Sequence, residues 1–204
     1  MKRLGMIGLL VGSLGLATQA ETIQIGTGLD ASGNLLSAGS LEQNYGVGGN
    51  ASDAVVYYLG NPWVANVANG QWISPSDALG NLTDPQYSTT TYTRTIDGTG
   101  TLSGEFASDN PGELLVNGVE VASTPGWPTT DDSDYSYWTG FSDISLDQAV
   151  NTIEFDVYNS YGPAGLIVAG TATVNTASVP DGGLTAMLLG MGLAGMGVIR
   201  RKLS

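Results

Sequence analysis

Residues 21–179 most strongly constrain the fold, because their apolar residues never sustain a helical period. Short apolar or Thr/Tyr-rich runs instead recur between clusters of Gly, Asn, Asp and Pro, which is the pattern of strands separated by turns. Many short strands of this kind build a sandwich or a barrel. Nine strands are predicted, over residues 22–26, 54–59, 90–96, 102–107, 114–116, 119–122, 139–144, 151–158 and 166–174.

The clearest local signal is the dipeptide Asn117-Gly118, which lies between two apolar runs. Both residues tolerate the positive φ that a type I′ turn requires, so a tight hairpin is predicted here. A two-residue turn also fixes the register of the strands that it joins. The predicted register places Val116 opposite Val119 and Leu114 opposite Val121, with all four side chains in the core.

Residues 1–20 have the pattern of a secretory signal peptide. Lys2 and Arg3 precede an apolar run over residues 4–16, and small residues precede a cut between Ala20 and Glu21. Four glycines within the run disfavour the alternative, a buried N-terminal helix of the fold. We therefore expect export of the chain and a mature protein that begins at Glu21.

The C-terminal segment has three parts in order. An apolar run over residues 184–199 spans about 24 Å as a helix, which is short of the ~30 Å hydrocarbon core of a bilayer. It crosses a membrane only with snorkelling or local thinning, and the basic residues after it should stay cytoplasmic. The flanking parts are Val179, Pro180, Asp181, Gly182 and Gly183 before the run, and Arg200, Arg201 and Lys202 after it.

These three parts resemble the PEP-CTERM family of bacterial sorting tails, in the variant whose signature is Val-Pro-Asp-Ser-Gly. Gly182 stands where that signature has Ser. The resemblance implies that residues 179–204 are recognised by an exosortase, a cysteine-type transpeptidase-like enzyme of the inner membrane. It also implies delivery to the cell surface or extracellular matrix, with the uncut tail as the membrane attachment. A plain C-terminal membrane anchor is the alternative.

The side-chain inventory excludes several classes of function. The chain has no Cys and no His, so disulfide, thiol, Cys-His and Ser-His-Asp chemistry and the usual zinc and haem sites are excluded. Residues 21–178 hold 18 acidic residues and one cation, Arg94, which gives a formal charge of −17. Such a surface repels phosphate groups, so no nucleic acid and no anionic membrane surface is expected as a partner.

The middle of the chain carries a second resemblance, in residues 27–36, 62–66, 72–75, 92–95, 108–110 with 116–118, 150–155 and 161–166. These pieces resemble exported domains that precede PEP-CTERM tails and look like galactose-binding-type jelly rolls. It implies an all-β fold for residues 21–178, a jelly-roll β-sandwich of the kind shared by many carbohydrate-binding modules, flanked by the signal peptide helix and a short C-terminal hydrophobic helix. It specifies no ligand, because this fold hosts many functions.

Residues 127–138 are the strongest candidate for a binding site, because they place two Trp, two Tyr and three Asp in one loop-like stretch. Exposed rings stack on the apolar faces of sugars, and carboxylates accept hydrogen bonds from sugar hydroxyls. The alternative is a solvated acidic loop whose rings pack onto the sandwich. The candidate ligand-binding residues are Trp127, Asp131, Asp132, Asp134, Tyr135 and Tyr137.

Three further expectations concern single residues. Asp131, Asp132 and Asp134 offer the oxygen ligands that a structural Ca²⁺ takes, although their spacing lacks the Gly and the distal Glu of an EF-hand loop. Trp72 is expected in the core near a strand end. Arg94 either pairs with a neighbouring acid or grips a sugar hydroxyl or carboxylate.

Together these patterns predict an exported, non-enzymatic protein of the bacterial surface or extracellular matrix that binds a polysaccharide. The alternatives are a structural matrix component without a small ligand and a small secreted glycosidase that uses two carboxylates. The predicted parts of the chain are the signal peptide (1–20), the β domain (21–178) and the sorting tail (179–204).

Overall fold

The computed structural model describes residues 18–48, 54–57, 62–75, 87–128, 134–160 and 164–177. The chain divides into two units, one made of Ala20–Thr176 and the other of Met1–Gln19 with Ala177–Ser204. The sorting tail and most of the signal peptide lie outside the described residues. Within the described ranges the helical structure is a 3-10 helix over Asp134–Ser136, and no helix there is long and apolar enough to span a membrane.

The described residues are organised almost entirely as strands. The prediction of an all-β fold is confirmed, and the two flanking helices fall outside the described ranges. In chain order the strands are β1 (Thr18–Gln24), β2 (Gly46–Gly48), β3 (Ala54–Val56), β4 (Ile73–Pro75), β5 (Ser88–Asp97), β6 (Thr99–Asp109), β7 (Gly112–Val116), β8 (Val119–Ser123), β9 (Thr139–Leu146), β10 (Val150–Asn159) and β11 (Gly165–Ala177).

The strands form two sheets. The first sheet has the order β3-β4-β11-β6-β9, and β1 also pairs with β11. The second sheet has the order β2-β5-β10-β7-β8. Each pairing whose register is defined is antiparallel.

The pairing is nested around the β7–β8 hairpin. Outward from that hairpin, β6 pairs with β9, β5 pairs with β10, and β4 pairs with β11. A long antiparallel ribbon with this nesting, rolled so that its eight strands fall into two four-stranded sheets, is a jelly roll. The jelly-roll prediction is therefore confirmed, with β1, β2 and β3 added to the eight strands.

The core lies between the two sheets. Along β10 the side chains of Ile153, Phe155 and Val157 are buried while the residues between them are half-buried, which is the period of two that a strand imposes. Phe155 packs edge-on against Phe106 of the opposite sheet, with ring centroids 5.2 Å apart. Burial of side chains of this size contributes roughly 1.5–3 kcal/mol each, so this layer is the main stabilising contact of the sandwich.

The hairpin prediction is confirmed at its turn. Asn117 and Gly118 have φ values of 53° and 78°, as a type I′ turn requires, and Val116 lies opposite Val119. The predicted pairing of Leu115 with Glu120 is also confirmed, but the pairing of Leu114 with Val121 is wrong, because a bulge between Leu114 and Leu115 places Leu114 opposite Ala122.

One predicted core residue of this hairpin is instead exposed. Val119 is 64% exposed, because β8 is the edge strand of its sheet. A sheet edge is a property of the whole topology, and the local sequence does not encode it.

Candidate functional site

Aromatic side chains from two loops cover the outer face of the first sheet. The first loop lies between β3 and β4, and the second lies directly before β9. Phe106 and Val168 point into the core, so their neighbours Ala107 and Ile167 point to the other face, where both are buried beside Trp72. Four partly buried rings pack on this small apolar cluster. We call them the aromatic patch: Tyr57, Trp63, Tyr135 and Trp138.

Trp72 forms the floor of the aromatic patch. It is fully buried and directly precedes β4, so the prediction of a buried tryptophan near a strand end is confirmed, but it lies on the outer face of the first sheet and not in the core between the sheets. Its indole Nε1 donates to the carbonyl of Val64 at 2.8 Å, and its backbone amide donates to Oδ1 of Asn66 at 3.1 Å. These two bonds fix the loop before β4 against the sheet.

Trp63 and Tyr135 form the central pair of the patch. Their ring centroids are 5.1 Å apart and their planes are inclined by 39°. The indole Nε1 of Trp63 donates to Oδ2 of the buried Asp109 at 2.9 Å, and the amide of Val64 donates to the carbonyl of Tyr135 at 2.9 Å. Both rings are half-buried, so they are held by the protein and still present part of their surface to solvent.

Asp134 holds the loop before β9 through buried hydrogen bonds of its side chain. Its side chain is fully buried at the start of the 3-10 helix. The Thr124 hydroxyl donates to Asp134 Oδ2 at 2.6 Å, and the Tyr137 hydroxyl donates to Asp134 Oδ1. The Thr124 oxygen in turn accepts from the amide of Gly112 on β7, so the chain of bonds ties the loop to the second sheet.

The structure therefore gives different surroundings to the residues predicted for the binding loop. Trp127, Tyr135 and Tyr137 are half-buried, and Tyr135 alone of these three belongs to the aromatic patch. Asp131 and Asp132 lie outside the described residues. Among the described residues no three acidic side chains are grouped closely enough to hold a metal ion. The ligand-binding and calcium assignments of this loop stay predictions.

A polar cavity of about 220 Å³ lies beside β1 and β5, and we call it the Arg94 cavity. Its floor includes the buried Leu29, and its polar walls come from β1, from the loop after it and from Arg94 of β5. The lining residues are Glu21, Thr22, Ile23, Gln24, Leu29, Asp30, Ala31, Ser32, Gly33, Asn44 and Arg94.

Arg94 lies above the ring of Tyr45, a buried residue that does not line the cavity. Its Cζ atom is 5.8 Å from the centroid of the Tyr45 ring, within the range of a cation–π contact. Burial raises the pKa of Tyr45 well above its usual range despite the opposing charge of Arg94, and the neutral phenol donates to the carbonyl of Ile25 at 2.6 Å. The sequence leaves two roles open for Arg94, an ion pair with an acid or a bond to a sugar. The contact described here, with the Tyr45 ring, is neither of these.

The pKa values of two carboxyl groups in this region, those of Asp30 and Glu42, shift in opposite directions. Hydrogen bonds donated by the backbone amide and the side-chain amide of Asn34, and by the backbone amide of Ser32, hold the pKa of Asp30 below its usual value. Burial raises the pKa of Glu42, although this side chain accepts from the amides of Gly28 and Asn44 at 2.6 and 2.8 Å. Asp30 is thus a fixed, ionised acceptor at the cavity wall.

Some of these residues are recognisable from the sequence and others are not. Trp63 was part of a matching piece of the jelly-roll resemblance, but nothing local showed that it would meet Tyr135, 72 positions later in the chain. The sequence identifies Arg94 as the one cation of residues 21–178. That it would share a cavity with Asp30 and Asn44 depends on the pairing of strands far apart in sequence.

Comparisons with known proteins add to this picture of a jelly roll with two candidate surfaces. Residues 178–203 match the VPDSG-CTERM motif. The chain therefore carries the sorting tail that its C-terminal sequence predicts, and the motif indicates export and sorting to the surface. The search of curated proteins finds no match.

Several solved structures are similar to the chain at low identity. The CBM36-1 domain of a multidomain xylanase from the hindgut metagenome of Trinervitermes trinervoides is 15% identical, with a TM-score of 0.32, over 66% of this chain and 93% of that one. A family 35 carbohydrate binding module from an environmental isolate is 16% identical, with a TM-score of 0.33, over 70% and 95%. The Podospora anserina GH26-CBM35 β-(1,4)-mannanase is 15% identical, with a TM-score of 0.30, over 79% and 29%. The fold assignment rests on the strand order given above.

Proposed function

We propose that this protein is exported, is sorted to the bacterial surface or extracellular matrix by an exosortase acting on its tail, and holds a polysaccharide there without catalysing a reaction. The match of residues 178–203 to the VPDSG-CTERM motif supports the sorting step. In this proposal residues 1–20 are removed as a signal peptide, residues 21–178 form the working domain, and an inner-membrane intermediate precedes cutting of the tail.

The Trp63–Tyr135 pair is the observation that supports glycan binding. Its rings are fixed by the bonds from Trp63 to Asp109 and from Val64 to the Tyr135 carbonyl, so a sugar that stacks on them meets a surface that is already ordered. Binding to preordered rings costs less entropy than binding to a free loop. Partly exposed indole and phenol faces suit the apolar faces of pyranose rings.

The surrounding charge is compatible with a neutral or weakly charged glycan. Residues 21–178 carry a formal charge of −17, so strongly anionic polymers are repelled and hydroxyl-rich polymers are not. Asp131 and Asp132 of the same loop are proposed acceptors for sugar hydroxyls or ligands for Ca²⁺. Trp127 and Tyr137 are proposed to extend the stacking surface.

Retention of the full chain on polysaccharide from its own extracellular matrix tests the proposal. Tyr135→Leu keeps an apolar side chain over Trp72 and removes the ring, so we expect an unchanged fold and a loss of affinity of about 2- to 12-fold. Tyr87→Ala is the matched control, because Tyr87 is 72% exposed and does not belong to the patch. Its retention should equal that of the wild type.

Three results would count against the proposal. Wild-type protein that retains none of this polysaccharide, with or without Ca²⁺, would leave the structural matrix component as the better hypothesis. Equal retention by Tyr135→Leu and wild type would move the site away from the aromatic patch. Release of shortened sugars during the incubation would favour the glycosidase.

A further inference from the structure

The chain contains two Asn-Gly dipeptides, Asn69-Gly70 and Asn117-Gly118. This sequence is chemically labile, because glycine has no side chain to shield its backbone nitrogen from the asparagine side chain. Attack of that nitrogen on the side-chain Cγ forms a C–N bond, releases ammonia and leaves a five-membered succinimide ring. One water molecule then opens the ring to aspartate or to isoaspartate, in which the backbone runs through Cβ and Cγ. Whether either site reacts depends on how the fold holds its side chain.

The fold locks the side chain of Asn117. Its Nδ2 donates to Oδ1 of Asn151 at 3.0 Å and to Oδ1 of Asp147 at 3.3 Å, and its Oδ1 accepts from the backbone amide of Thr152 at 3.0 Å. The Asn117 Cγ cannot turn toward the nitrogen of Gly118 unless these bonds break, and each broken bond slows the reaction by its own free energy. The hairpin turn is therefore protected from the reaction.

Asn69 lacks this protection. It lies in the two-residue turn between Val67 and Gly70, it is half-buried, and its side chain makes no hydrogen bond to a residue that the structure describes. The attacking nitrogen is also weakly held, since the Gly70 amide donates to the Val67 carbonyl at 3.3 Å, beyond the ordinary range of ~2.7–3.2 Å. Because the side chain is partly exposed, water reaches it for the second step.

Isoaspartate does not fit the backbone of this turn. A Cβ added to Gly70 would lie 2.3 Å from the carbonyl oxygen of Val168. A Cβ added to Gly26 would lie 1.8 Å from the carbonyl oxygen of Asn69, so the turn touches its neighbours on both sides. Isoaspartate adds one carbon to the backbone here and turns the Asn69 carbonyl into a free carboxylate. Close-packed surroundings have no room for either change, so the turn must move.

The turn directly follows the loop that carries the aromatic patch. The Oδ1 of Asn66 accepts from the Trp72 amide at 3.1 Å, and the carbonyl of Val64 accepts from the Trp72 indole at 2.8 Å. Residues 67–71 join the two partners of both bonds, so a displaced turn strains the bonds that fix this loop to the sheet.

We infer that Asn69 is a spontaneous modification site of the folded protein, and that its conversion to isoaspartate loosens the aromatic patch and lowers retention of polysaccharide. The loss of retention rests on the proposed function, whereas the modification itself does not.

Ageing of the full chain at mildly alkaline pH, for several weeks, tests the modification. Trypsin separates the two dipeptides, because it cuts after Arg94 and leaves one in residues 4–94 and the other in residues 95–200. Mass spectrometry detects the exchange of the amide nitrogen for oxygen, and an isoaspartyl methyltransferase labels the isoaspartate. A parallel incubation in urea gives the rate of each site without the fold.

We expect the two sites to react equally fast in urea, and Asn69 to react at least about tenfold faster than Asn117 in the folded chain, since three hydrogen bonds hold Asn117. Asn69→Gln is the matched control. It keeps the amide, but its longer side chain would have to close a six-membered ring, so residues 4–94 should gain no isoaspartate.

Passage of the aged chain over polysaccharide from its own matrix tests the loss of retention. Chains converted to isoaspartate at Asn69 should be enriched at least about threefold in the unretained fraction. Asn69→Asp adds the charge without the extra backbone carbon and should be retained like the fresh wild type. Aged Asn69→Gln should also be retained like the fresh wild type.

The opposite results overturn the inference. Absence of isoaspartate from residues 4–94 of the folded chain, or equal rates at Asn69 and Asn117 there, removes the assigned site. Isoaspartate that persists in Asn69→Gln places the reaction elsewhere. Converted chains that are retained as fully as unconverted ones contradict the loosening of the patch. Fresh wild type that is not retained removes the proposed function and with it the loss of retention, whereas the peptide masses still decide the modification at Asn69.

Discussion

Replacement of Asp134 tests how the loop of the aromatic patch is held. This fully buried carboxylate accepts hydrogen bonds from the hydroxyls of Thr124 and Tyr137. Hydrogen bonds to a charged group contribute about 1.5–3 kcal/mol each, so Asp134→Ala should lower the free energy of unfolding by roughly 3–6 kcal/mol. For a domain of this size that corresponds to a fall in melting temperature of about 6 to 24 °C.

A milder variant separates charge from hydrogen bonding. Asp134→Asn keeps an acceptor and the shape, so we expect a fall of only about 2 to 8 °C, as for a loss of about 1–2 kcal/mol. Asp97→Asn removes the same charge from an exposed position and should change the melting temperature by less than either. Differential scanning calorimetry measures all three. A melting temperature of Asp134→Ala equal to that of Asp97→Asn would refute the role of Asp134 as the anchor of this loop.

Two further predictions concern the hairpin and the acidic face of the second sheet. Gly118→Val forces a β-branched residue to a φ of 78°, and an added Cβ meets no atom within 4 Å, so the cost is purely conformational. We expect a loss of about 1–3 kcal/mol in the free energy of unfolding, or a fall of about 2 to 12 °C in melting temperature. Gly46→Val is the control, because Gly46 needs no positive φ, and it should leave the melting temperature unchanged. Burial and the neighbouring carboxylates raise the pKa of Glu113 and of Glu154, so the folded chain binds more protons than the unfolded one, and the melting temperature should rise as the pH is lowered from 7 toward the ordinary Glu value of 4.5. Glu154→Gln should flatten that rise, and a melting temperature that instead falls over this pH range would contradict the sign.

The strands were predictable because each carries its signal locally. All nine predicted segments overlap strands of the structure, since runs such as 151–158 alternate apolar and polar residues along their own length. The two missed strands, β2 and β4, are three residues long, too short for any alternation to show. They form because longer neighbours, β5 and β11, offer free hydrogen-bonding edges.

The candidate sites were less predictable, because they depend on contacts between distant segments. The composition of residues 127–138 drew attention to Tyr135, but its partner Trp63 comes from the loop before β4. The sequence predicts Asp134 as a ligand for a sugar or a metal. In the structure its side chain is buried and accepts hydrogen bonds from Thr124 and Tyr137. A carboxylate has the same sequence signature in each of these roles, and its surroundings decide among them.

The fate of the chain in the producing bacterium tests the proposed export of the chain and the proposed cutting of its tail. The measurement is intact mass and abundance of the chain in the membrane and extracellular-matrix fractions, for wild type and for the double variant Pro180→Ala, Asp181→Ala. The wild-type chain should begin at Glu21, lack its basic C-terminal end and be found in the matrix fraction, while the variant should keep its tail and stay in the membrane. A wild-type chain that retains residues 1–20, or a variant that reaches the matrix as fully as the wild type, would contradict it.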